Sequence, residues 1–578
     1  MASKNKHLIL WLVGFLIVIC SVTTVSIILL MDSGPIAIQS DSRWLHLRLN
    51  SRMTEAPGNE GLVMDPADLP PLSSEVVAGL HNAAQDEHIH AVLVEIDGLN
   101  VGWAQAESLR SALRKVVAAE KPCTVWSEAY DMKSFYVASA CDTLAIAPEG
   151  LPLVNGMNVS QSYFAGTLEM LGVRANFEHV GDFKSAVEPY ERTEPSEAAA
   201  EATNALLDSL YNHITEEIAV DRGLEHAEII ALIDDPPITA RSAVERGLLD
   251  ERIYRDDLIE RLNEAGDRLK GAQYLSDDLS SWGGKGVVAV VHAEGPIVSG
   301  KGGPDVFGDS VVGSRTVVKI LGDLEEDSSV DAVVLRVNSP GGSGMASDDI
   351  WHAVEALKKT KPVVASMGDY AASGGYYIAM GTDRIFAEPT TITGSIGVFG
   401  GKMNLAGLLE KAGMSQYEFS RGARSDLLSN VEDFDPEDRQ LFRAFLASFY
   451  ETFVTKAAEG RGMTFEDLHE VAQGRVWTGK QALERNLVDE LGGLSQAVDS
   501  AAELAGLSTY QIDRLPKRLG FMDQLFEEMM NPEVDTISLG FPGLPMQAQS
   551  SLKTLFLLDQ ILADGSPAAM LPGQLVIE

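Results

Sequence analysis

The stretch "AVVLRVNSPGGSGMASDDIWHAVEAL", residues 332–357, indicates the fold of this chain. It begins with the apolar, β-branched run of a buried strand, passes through a loop that contains Gly341 and Gly342, and ends in an amphipathic helical pattern. The same pattern recurs in "AVLVEIDGLNVGWAQAESLRSALRKV", residues 91–116. Strands that alternate with helices favour a parallel α/β sheet, so the sequence predicts one such unit built twice.

The likeness between the two copies continues beyond these stretches. "KPCTVWSEAY" aligns with "KPVVASMGDY", "SFYVASACDTLAIAPEG" with "GGYYIAMGTDRIFAEPT", and "ITARSAVERGLLDE" with "WTGKQALERNLVDE". The predicted copies cover 44–275 and 285–510. The polar, glycine-rich stretch between them predicts a linker at 276–284, and residues 511–578 form a C-terminal extension outside the repeat.

The N-terminal region predicts a membrane anchor. Residues 8–31 contain no Asp, Glu, Lys or Arg, which is enough chain for a helix to cross a hydrocarbon core of about 30 Å. Lys4 and Lys6 precede this span and predict that residues 1–7 are cytoplasmic, with the rest of the chain on the other side. A cleaved signal peptide is the alternative, but the apolar run is long and no clear small-residue cleavage site follows.

Composition excludes several classes of function. The net charge of −39 would repel nucleic acid. The eleven histidines form no metal-binding motif, and no phosphate-binding or dinucleotide fingerprint occurs, so we expect no metal and no cofactor. The three cysteines fit no zinc or redox motif. We predict no disulfide framework, and interpret Cys123 and Cys141 as small buried apolar residues.

The stretch "TITGSIGVFG", residues 391–400, introduces a candidate nucleophile, Ser395. The first copy has Val154 at the aligned position. The converse holds for Lys184 in "VGDFKSAVEPYERTEPS", because the second copy has Ser425 there. One copy therefore has the lysine and the other the serine. Two copies packed about a pseudo-twofold axis could bring these two residues together.

A lysine can accept the proton of a serine hydroxyl only when it is neutral. Burial in an apolar site lowers the lysine pKa, and Phe183 and Val187 flank Lys184 in a way compatible with such a site. Glu188 would oppose this shift if it pointed inward. The rival base is His179, five residues before the lysine.

The oxyanion of an attacked peptide carbonyl needs hydrogen-bond donors. Gly341 and Gly342 let backbone N–H groups approach a substrate, and the N–H of Ile396 is a further candidate. The alternative is that this loop only turns from strand to helix. The stretch "AASGG", residues 371–375, fits either a substrate groove or a close helix packing, and Ser425 could hydrogen-bond near the lysine.

Four motifs, "VGDFKSAVEPYERTEPS", "RVNSPGGSG", "YAASGGYYIA" and "TITGSIGVFG", resemble the bacterial signal peptide peptidase A family in its long two-copy form. The resemblance implies tandem ClpP/crotonase-like α/β domains with Ser395 as nucleophile and Lys184 as general base. It also implies a homotetramer in the bacterial inner membrane, anchored in lipid by its N-terminal helix. The catalytic body would face the periplasm and digest residual signal peptides and other apolar peptides.

Two other functions compete with a serine endopeptidase. A crotonase-like acyl-CoA enzyme also uses paired backbone N–H groups, but it needs a cytoplasmic site, which the predicted topology disfavours. An inactive scaffold is the third possibility. The first copy fits it, whereas the second keeps Ser395 and the glycine loop.

Overall fold

The structure is a computed structural model, and not every part of the chain is described in it. The described residues are 43–49, 53–55, 71–276, 285–304, 310–517, 567–570 and 576–577. The predicted membrane span at 8–31 lies outside them, as do most of the predicted linker and most of the C-terminal extension. Within the described ranges, no helix has both the length and the apolar character needed to cross a bilayer.

Strands and helices alternate along both copies. The strands are β1 Arg43–Leu49, β2 Ile89–Ile96, β3 Cys123–Tyr130, β4 Thr143–Pro152, β5 Val159–Ser160, β6 Arg174–Val180, β7 Glu251–Arg252, β8 Asp267–Lys270, β9 Gly286–Glu294, β10 Ile297–Val298, β11 Gly303–Pro304, β12 Ser310–Gly313, β13 Ala332–Ser339, β14 Gly341–Ser343, β15 Val363–Ala372, β16 Arg384–Ala387, β17 Ile392–Gly394, β18 Val398–Asn404, β19 Val476–Thr478, β20 Glu490–Leu491, β21 Tyr510–Leu515, β22 Ala568–Met570 and β23 Val576–Ile577. The helices are α1 Ser73–Gln85, α2 Trp103–Ala118, α3 Met132–Ala138, α4 Ala165–Leu171, α5 Glu188–Glu191, α6 Glu197–Arg222, α7 His226–Asp234, α8 Ala240–Glu245, α9 Arg255–Ala265, α10 Gly271–Ser276, α11 Ser314–Glu326, α12 Gly344–Leu357, α13 Gly374–Ala379, α14 Ala406–Lys411, α15 Pro436–Arg461, α16 Phe465–Val471, α17 Gly479–Leu483 and α18 Leu494–Leu504.

Each copy is built around its own largely parallel sheet. The first has the order β7-β4-β3-β2-β1-β8, and the second has β19-β17-β15-β13-β9-β21 with β16 and β20 alongside. The strands β2 and β13, which begin the two quoted stretches, pair in parallel with β3 and β15 respectively. Their apolar side chains are buried in two separate cores. The predicted tandem α/β architecture is therefore observed.

A third sheet joins the two copies. Its order is β11-β12-β10-β14-β22-β18-β6. Strand β6 comes from the first copy and pairs antiparallel with β18 of the second along seven residues, from Val398 opposite Val180 to Asn404 opposite Arg174. This cross-copy pairing fixes the position of the chain that follows β6, which is where Lys184 lies.

The cysteine prediction needs a correction. Cys123 and Cys141 are buried as expected, but they form a disulfide, with a Cα–Cα distance of 4.9 Å. Cys123 begins β3 and Cys141 lies in the turn before β4. The backbone N–H of Cys123 donates to the Asp142 carboxylate at 2.9 Å, which holds that turn against the strand. The parallel register of β3 and β4 brings the two cysteines together, and their spacing in the sequence does not reveal it.

Candidate active site

Lys184 lies in a loop of the first copy that is enclosed by the second copy. The N–H of Phe183 donates to the carbonyl of Gln473 at 2.8 Å. A Cβ added to Gly474 would lie 2.7 Å from the Cβ of Lys184, so only a glycine permits this approach. The lysine side chain is 1% exposed. Contacts between the two copies therefore bury Lys184.

The Lys184 amine contacts two serines of the second copy. Its Nζ lies 2.8 Å from Ser373 Oγ, 3.0 Å from Ser395 Oγ and 3.0 Å from the Ser395 carbonyl oxygen. Both serines are fully buried. The structure therefore brings together the two residues that the repeat asymmetry singled out, and it adds Ser373 to them.

The surroundings of Lys184 favour its neutral form. Burial lowers the pKa of the Lys184 amine well below its ordinary value, because a charged ammonium loses its hydration there. Glu188 does not oppose this shift, since its carboxylate accepts hydrogen bonds from the N–H and hydroxyl of Ser196, at 2.9 and 2.5 Å. An amine with a lowered pKa can accept a proton near neutral pH.

His179, the rival base considered from the sequence, lies apart from these contacts. Its side chain is exposed, and its Nδ1 pairs with the carbonyl oxygen of Gly181 at 3.2 Å. Ser425 is also exposed, and its hydroxyl donates to the Gly422 carbonyl at 3.1 Å. The suggestion that Ser425 lies near the lysine is wrong, because Ser373 occupies that position.

Ser373 stands at a sharp turn between β15 and α13. Its φ of 55° is in the left-handed region, which residues with a side chain rarely adopt. The turn is held from both sides: the Ser373 N–H donates to the Gly394 carbonyl, and the Ser373 carbonyl accepts from the Tyr377 N–H, each at 2.8 Å. A strained strand-to-helix turn of this kind presents a side chain in one fixed direction.

Ser395 occupies a second turn of the same kind, directly after β17. Its φ is 52°, and its N–H donates to the Arg475 carbonyl at 2.7 Å. The serine supplies two acceptors to Lys184, its carbonyl and its hydroxyl. It therefore has more contacts with the amine than Ser373 has.

The glycine loop predicted to hold the oxyanion lies beside Ser373. A Cβ added to Gly341, whose φ is 102°, would lie 2.8 Å from the Gly374 nitrogen and 3.0 Å from the Ala372 carbonyl oxygen. These are the two neighbours of Ser373 in the chain. Gly342 follows within β14. Ile396 follows Ser395 instead; its side chain is in the core, and its carbonyl accepts from the Gly474 N–H at 2.7 Å.

Sequence reasoning missed Ser373 as a partner of the lysine, although the repeat carried the signal. The position of the first copy that aligns with Ser373 is Lys133, and Val154 is the position taken as the partner of Ser395. Both serines are thus absent from the first copy. Glycines surround Ser373, and such a stretch by itself predicts a groove or a close packing contact, so only the difference between the copies points to this serine.

Metal binding finds no support in the described part of the chain, where no group of three or more His, Cys, Asp or Glu side chains is placed to hold an ion. The described residues form an α/β protein with a buried serine–lysine contact between its two copies. The model of peptidase family S49 matches residues 115–269 and 355–508, one match in each copy, and the chain belongs to this family. It is a serine-type peptidase, and the resemblance stated from its motifs is confirmed.

Curated relatives extend the match over most of the chain. Identity is 34% to the chloroplastic serine protease SPPA of Arabidopsis thaliana, over 76% of this chain and 66% of that protein. It is 31% to Protease 4 of Salmonella typhi (79% and 75%) and 29% to Protease 4 of Haemophilus influenzae (74% and 72%). The solved structure of a ClpP1 mutant from Listeria monocytogenes overlaps 36% of this chain and 94% of its own, with 17% identity and a TM-score of 0.24, too low to decide the fold.

Proposed function

We propose that this chain is a membrane-anchored endopeptidase in which Lys184 is the general base for a serine nucleophile, and that it cuts apolar peptides such as residual signal peptides. The observation that carries the proposal is the buried Lys184 amine within 2.8–3.0 Å of two serine hydroxyls. No acidic side chain contributes to the pKa shift of this lysine, so burial alone favours its neutral form.

The reaction follows from these groups. The serine hydroxyl gives its proton to the neutral Lys184 amine while its oxygen attacks the peptide carbonyl carbon. The carbonyl oxygen becomes an oxyanion, which backbone N–H groups of the Gly341–Gly342 loop stabilise. The ammonium then protonates the departing amine, leaving an acyl-enzyme. Lys184 next takes a proton from water, whose oxygen attacks the ester carbon. The C–Oγ bond then breaks, the ammonium returns its proton to the departing serine oxygen, and the second product is released as a carboxylic acid.

Two serines are candidates for the nucleophile. The prediction from sequence is Ser395, and it stays a prediction. The geometry favours Ser373, because Gly341 lies against both chain neighbours of Ser373. In addition, a neutral amine has two N–H donors and one lone pair. If the N–H groups donate to the carbonyl and hydroxyl of Ser395, the lone pair is left for the hydroxyl of Ser373, which is the nearer at 2.8 Å.

Labelling of the wild-type protein with a fluorophosphonate, followed by mapping of the modified peptide, tests this chemistry directly. The reagent forms a covalent bond only with an activated serine, so the modified residue identifies the nucleophile. Labelling at residue 373 or 395 supports the dyad and decides between the two serines. Absence of labelling in a folded, peptide-cleaving protein would overturn the proposal.

The proposed cellular location and the proposed substrate class rest on other observations. The uncharged span at residues 8–31 after Lys4 and Lys6 supports a single anchor, with the catalytic body on the periplasmic side of the bacterial inner membrane. One relative, from Enterococcus faecium, carries the name putative signal peptide peptidase SppA. An anchored body works close to the bilayer, where apolar leucine-rich peptides collect. The homotetramer and the ClpP/crotonase-like form of the domains rest on the family resemblance.

Topology is tested with a reporter fused after Glu578 that is active on only one side of the membrane. We expect activity outside the cytoplasm, and activity of the same fusion inside would reverse the proposed orientation. Substrate choice is tested by comparing leucine-rich peptides with charged peptides of equal length. Equal rates for the two sets would remove the support for an apolar substrate.

A further inference from the structure

A short piece of the C-terminal extension lies in the middle of the sheet that joins the copies. Strand β22, Ala568–Met570, pairs antiparallel with β14, with Ala569 opposite Gly342. On its other side it pairs with β18, with Ala568 opposite Phe399. The N–H of Gly344 also donates to the Pro567 carbonyl at 2.9 Å. The segment is therefore held along both edges.

This strand lies against the glycine loop and against the residue that follows Ser373. A Cβ added to Gly341 would lie 2.0 Å from the Ala569 carbonyl oxygen, and one added to Gly374 would lie 3.1 Å from the same atom. Gly374 is the residue after Ser373. The carbonyl of Ala569 thus rests between the glycine loop and the turn that carries Ser373, which is where an attacked carbonyl has to lie.

We propose that residues 567–570 occupy the substrate groove as an internal pseudo-substrate, which a peptide must displace before it is cut. This inference rests on the proposed function. An extended peptide that adds to an exposed strand edge gains main-chain hydrogen bonds and needs no particular sequence for them. The tail is attached to the same chain, so it competes at a high effective concentration. Its last described strand, Val576–Ile577, pairs with Val159–Ser160 of the first copy, which tethers the tail beyond the groove as well.

The segment also indicates which side chains the groove accepts. Ala568 and Ala569 are fully buried. Ala569 lies opposite Gly342 and Ala568 opposite Ser343, and the backbone of Ala569 lies so close to Gly341 that no side chain fits at position 341. A substrate bound in the same register therefore has small residues at both positions, with an apolar residue such as Met570 following them.

The test expels the segment without touching the residues of the site. The variant Ala569→Asp places a carboxylate where a buried methyl group lies, which favours the displaced tail. The matched control is Asp564→Asn, in the same tail but before the strand. We expect kcat/KM for a short leucine- and alanine-containing fluorogenic peptide, and the rate of fluorophosphonate labelling, to rise on the order of tenfold in Ala569→Asp only, because the fraction of open sites rises.

A synthetic peptide with the sequence of residues 566–573, SPAAMLPG, provides the second measurement. It should inhibit Ala569→Asp competitively, and a version with tryptophan in place of both alanines should not. A thermal melting profile like that of the wild type shows that Ala569→Asp is folded. If Ala569→Asp does not fold, Ala568→Trp is used in its place. Equal labelling of variant, control and wild type, with no inhibition by the peptide, would overturn the pseudo-substrate. Absence of labelling in every form would instead contradict the proposed function.

Discussion

The two copies share one architecture and differ at the positions where chemistry would occur. The second copy has Ser373 and Ser395 at two strained turns, and the first has Lys133 and Val154 at the corresponding positions. The first copy instead contributes Lys184, which contacts both serines. The sheet and core are therefore compatible with either set of residues, and the contact between the copies is what completes the site.

The beginnings of two equivalent helices show how this difference arises. At α3 of the first copy, the Asp131 carboxylate accepts from the Ser134 N–H at 2.7 Å, an ordinary cap that stabilises the helix by about 1 kcal/mol. At α13 of the second copy, Ser373 stands at the cap position, but its hydroxyl does not cap the helix. It faces Lys184 instead. A stabilising contact in one copy is replaced by a potentially reactive one in the other.

The largest effect is expected from removing a serine of the second copy. Ser373→Ala should lower kcat on an apolar peptide by more than ~10³-fold, because the favoured nucleophile is gone. Ser395→Ala should lower it by roughly 10- to 100-fold, since Lys184 keeps its burial and loses one of its acceptors. Steady-state kinetics on folded variants measure this. The reverse ranking would show that Ser395 attacks, as the sequence predicts.

The contribution of the first copy is tested at Lys184. Lys184→Ala should reduce turnover by about 10²–10⁴-fold, and Lys184→Arg should fail as well because a guanidinium stays protonated. Burial lowers the pKa of Lys184, so in the wild type the neutral amine forms as the pH rises through that lowered value, and kcat/KM should rise with it. The matched control is His179→Ala, which should keep most of the activity. A flat pH profile would exclude the lysine as base.

A smaller effect, on stability, concerns the interface between the copies. Ser108 of the first copy donates to the Glu388 carboxyl of the second at 2.5 Å. Burial, with a further contribution from the charge of Glu107, raises the pKa of Glu388 to about 8. A carboxyl whose pKa is raised on folding stabilises the protein below its unfolded pKa, and this contribution is lost as the pH rises through the folded value.

Wild-type thermal unfolding midpoints should therefore fall between about pH 4.5 and pH 8 by more than those of Glu388→Gln, which is neutral throughout. The neighbouring Asp369, with its pKa raised to about 6 mainly by burial, adds a decline of the same sign that both proteins share. Differential scanning calorimetry at several pH values measures the difference. If the unfolding midpoints of the two proteins changed in parallel with pH, the pKa of Glu388 would not be raised on folding.

The smallest effect on activity is expected from restoring a serine in the first copy. Lys133→Ser should not create a second site, because the lysine-equivalent position in the other copy is the exposed Ser425. It should lower stability by about 1 kcal/mol, because the Lys133 amine donates to the Val101 carbonyl at 2.7 Å and this hydrogen bond is lost. Labelling of the double variant Lys133→Ser, Ser373→Ala isolates any new reactivity. A label at position 133 would show that a serine in this turn is activated without a lysine partner.

The sequence predicts the repeated unit, and the complementary asymmetry of the copies indicates that Lys184 and Ser395 could meet, which the alignment alone does not establish. It was not sufficient for contacts that depend on register. The disulfide between Cys123 and Cys141 follows from how β3 lies beside β4. The contact of Ser373 with Lys184 depends on a left-handed turn at Ser373, which the neighbouring glycines in the sequence do not reveal. The pairing of residues 567–570 depends on strand edges that exist only in the folded sheet.

The pairing of β6 with β18 also has a consequence for how the molecule is made. Lys184 leaves the ribosome long before Ser373 and Ser395 do, and it becomes buried only when the second copy folds against the first. Until then it is an ordinary protonated amine in water. The buried contact of Lys184 with the two serines therefore forms only at the end of folding, after the whole second copy has been synthesised.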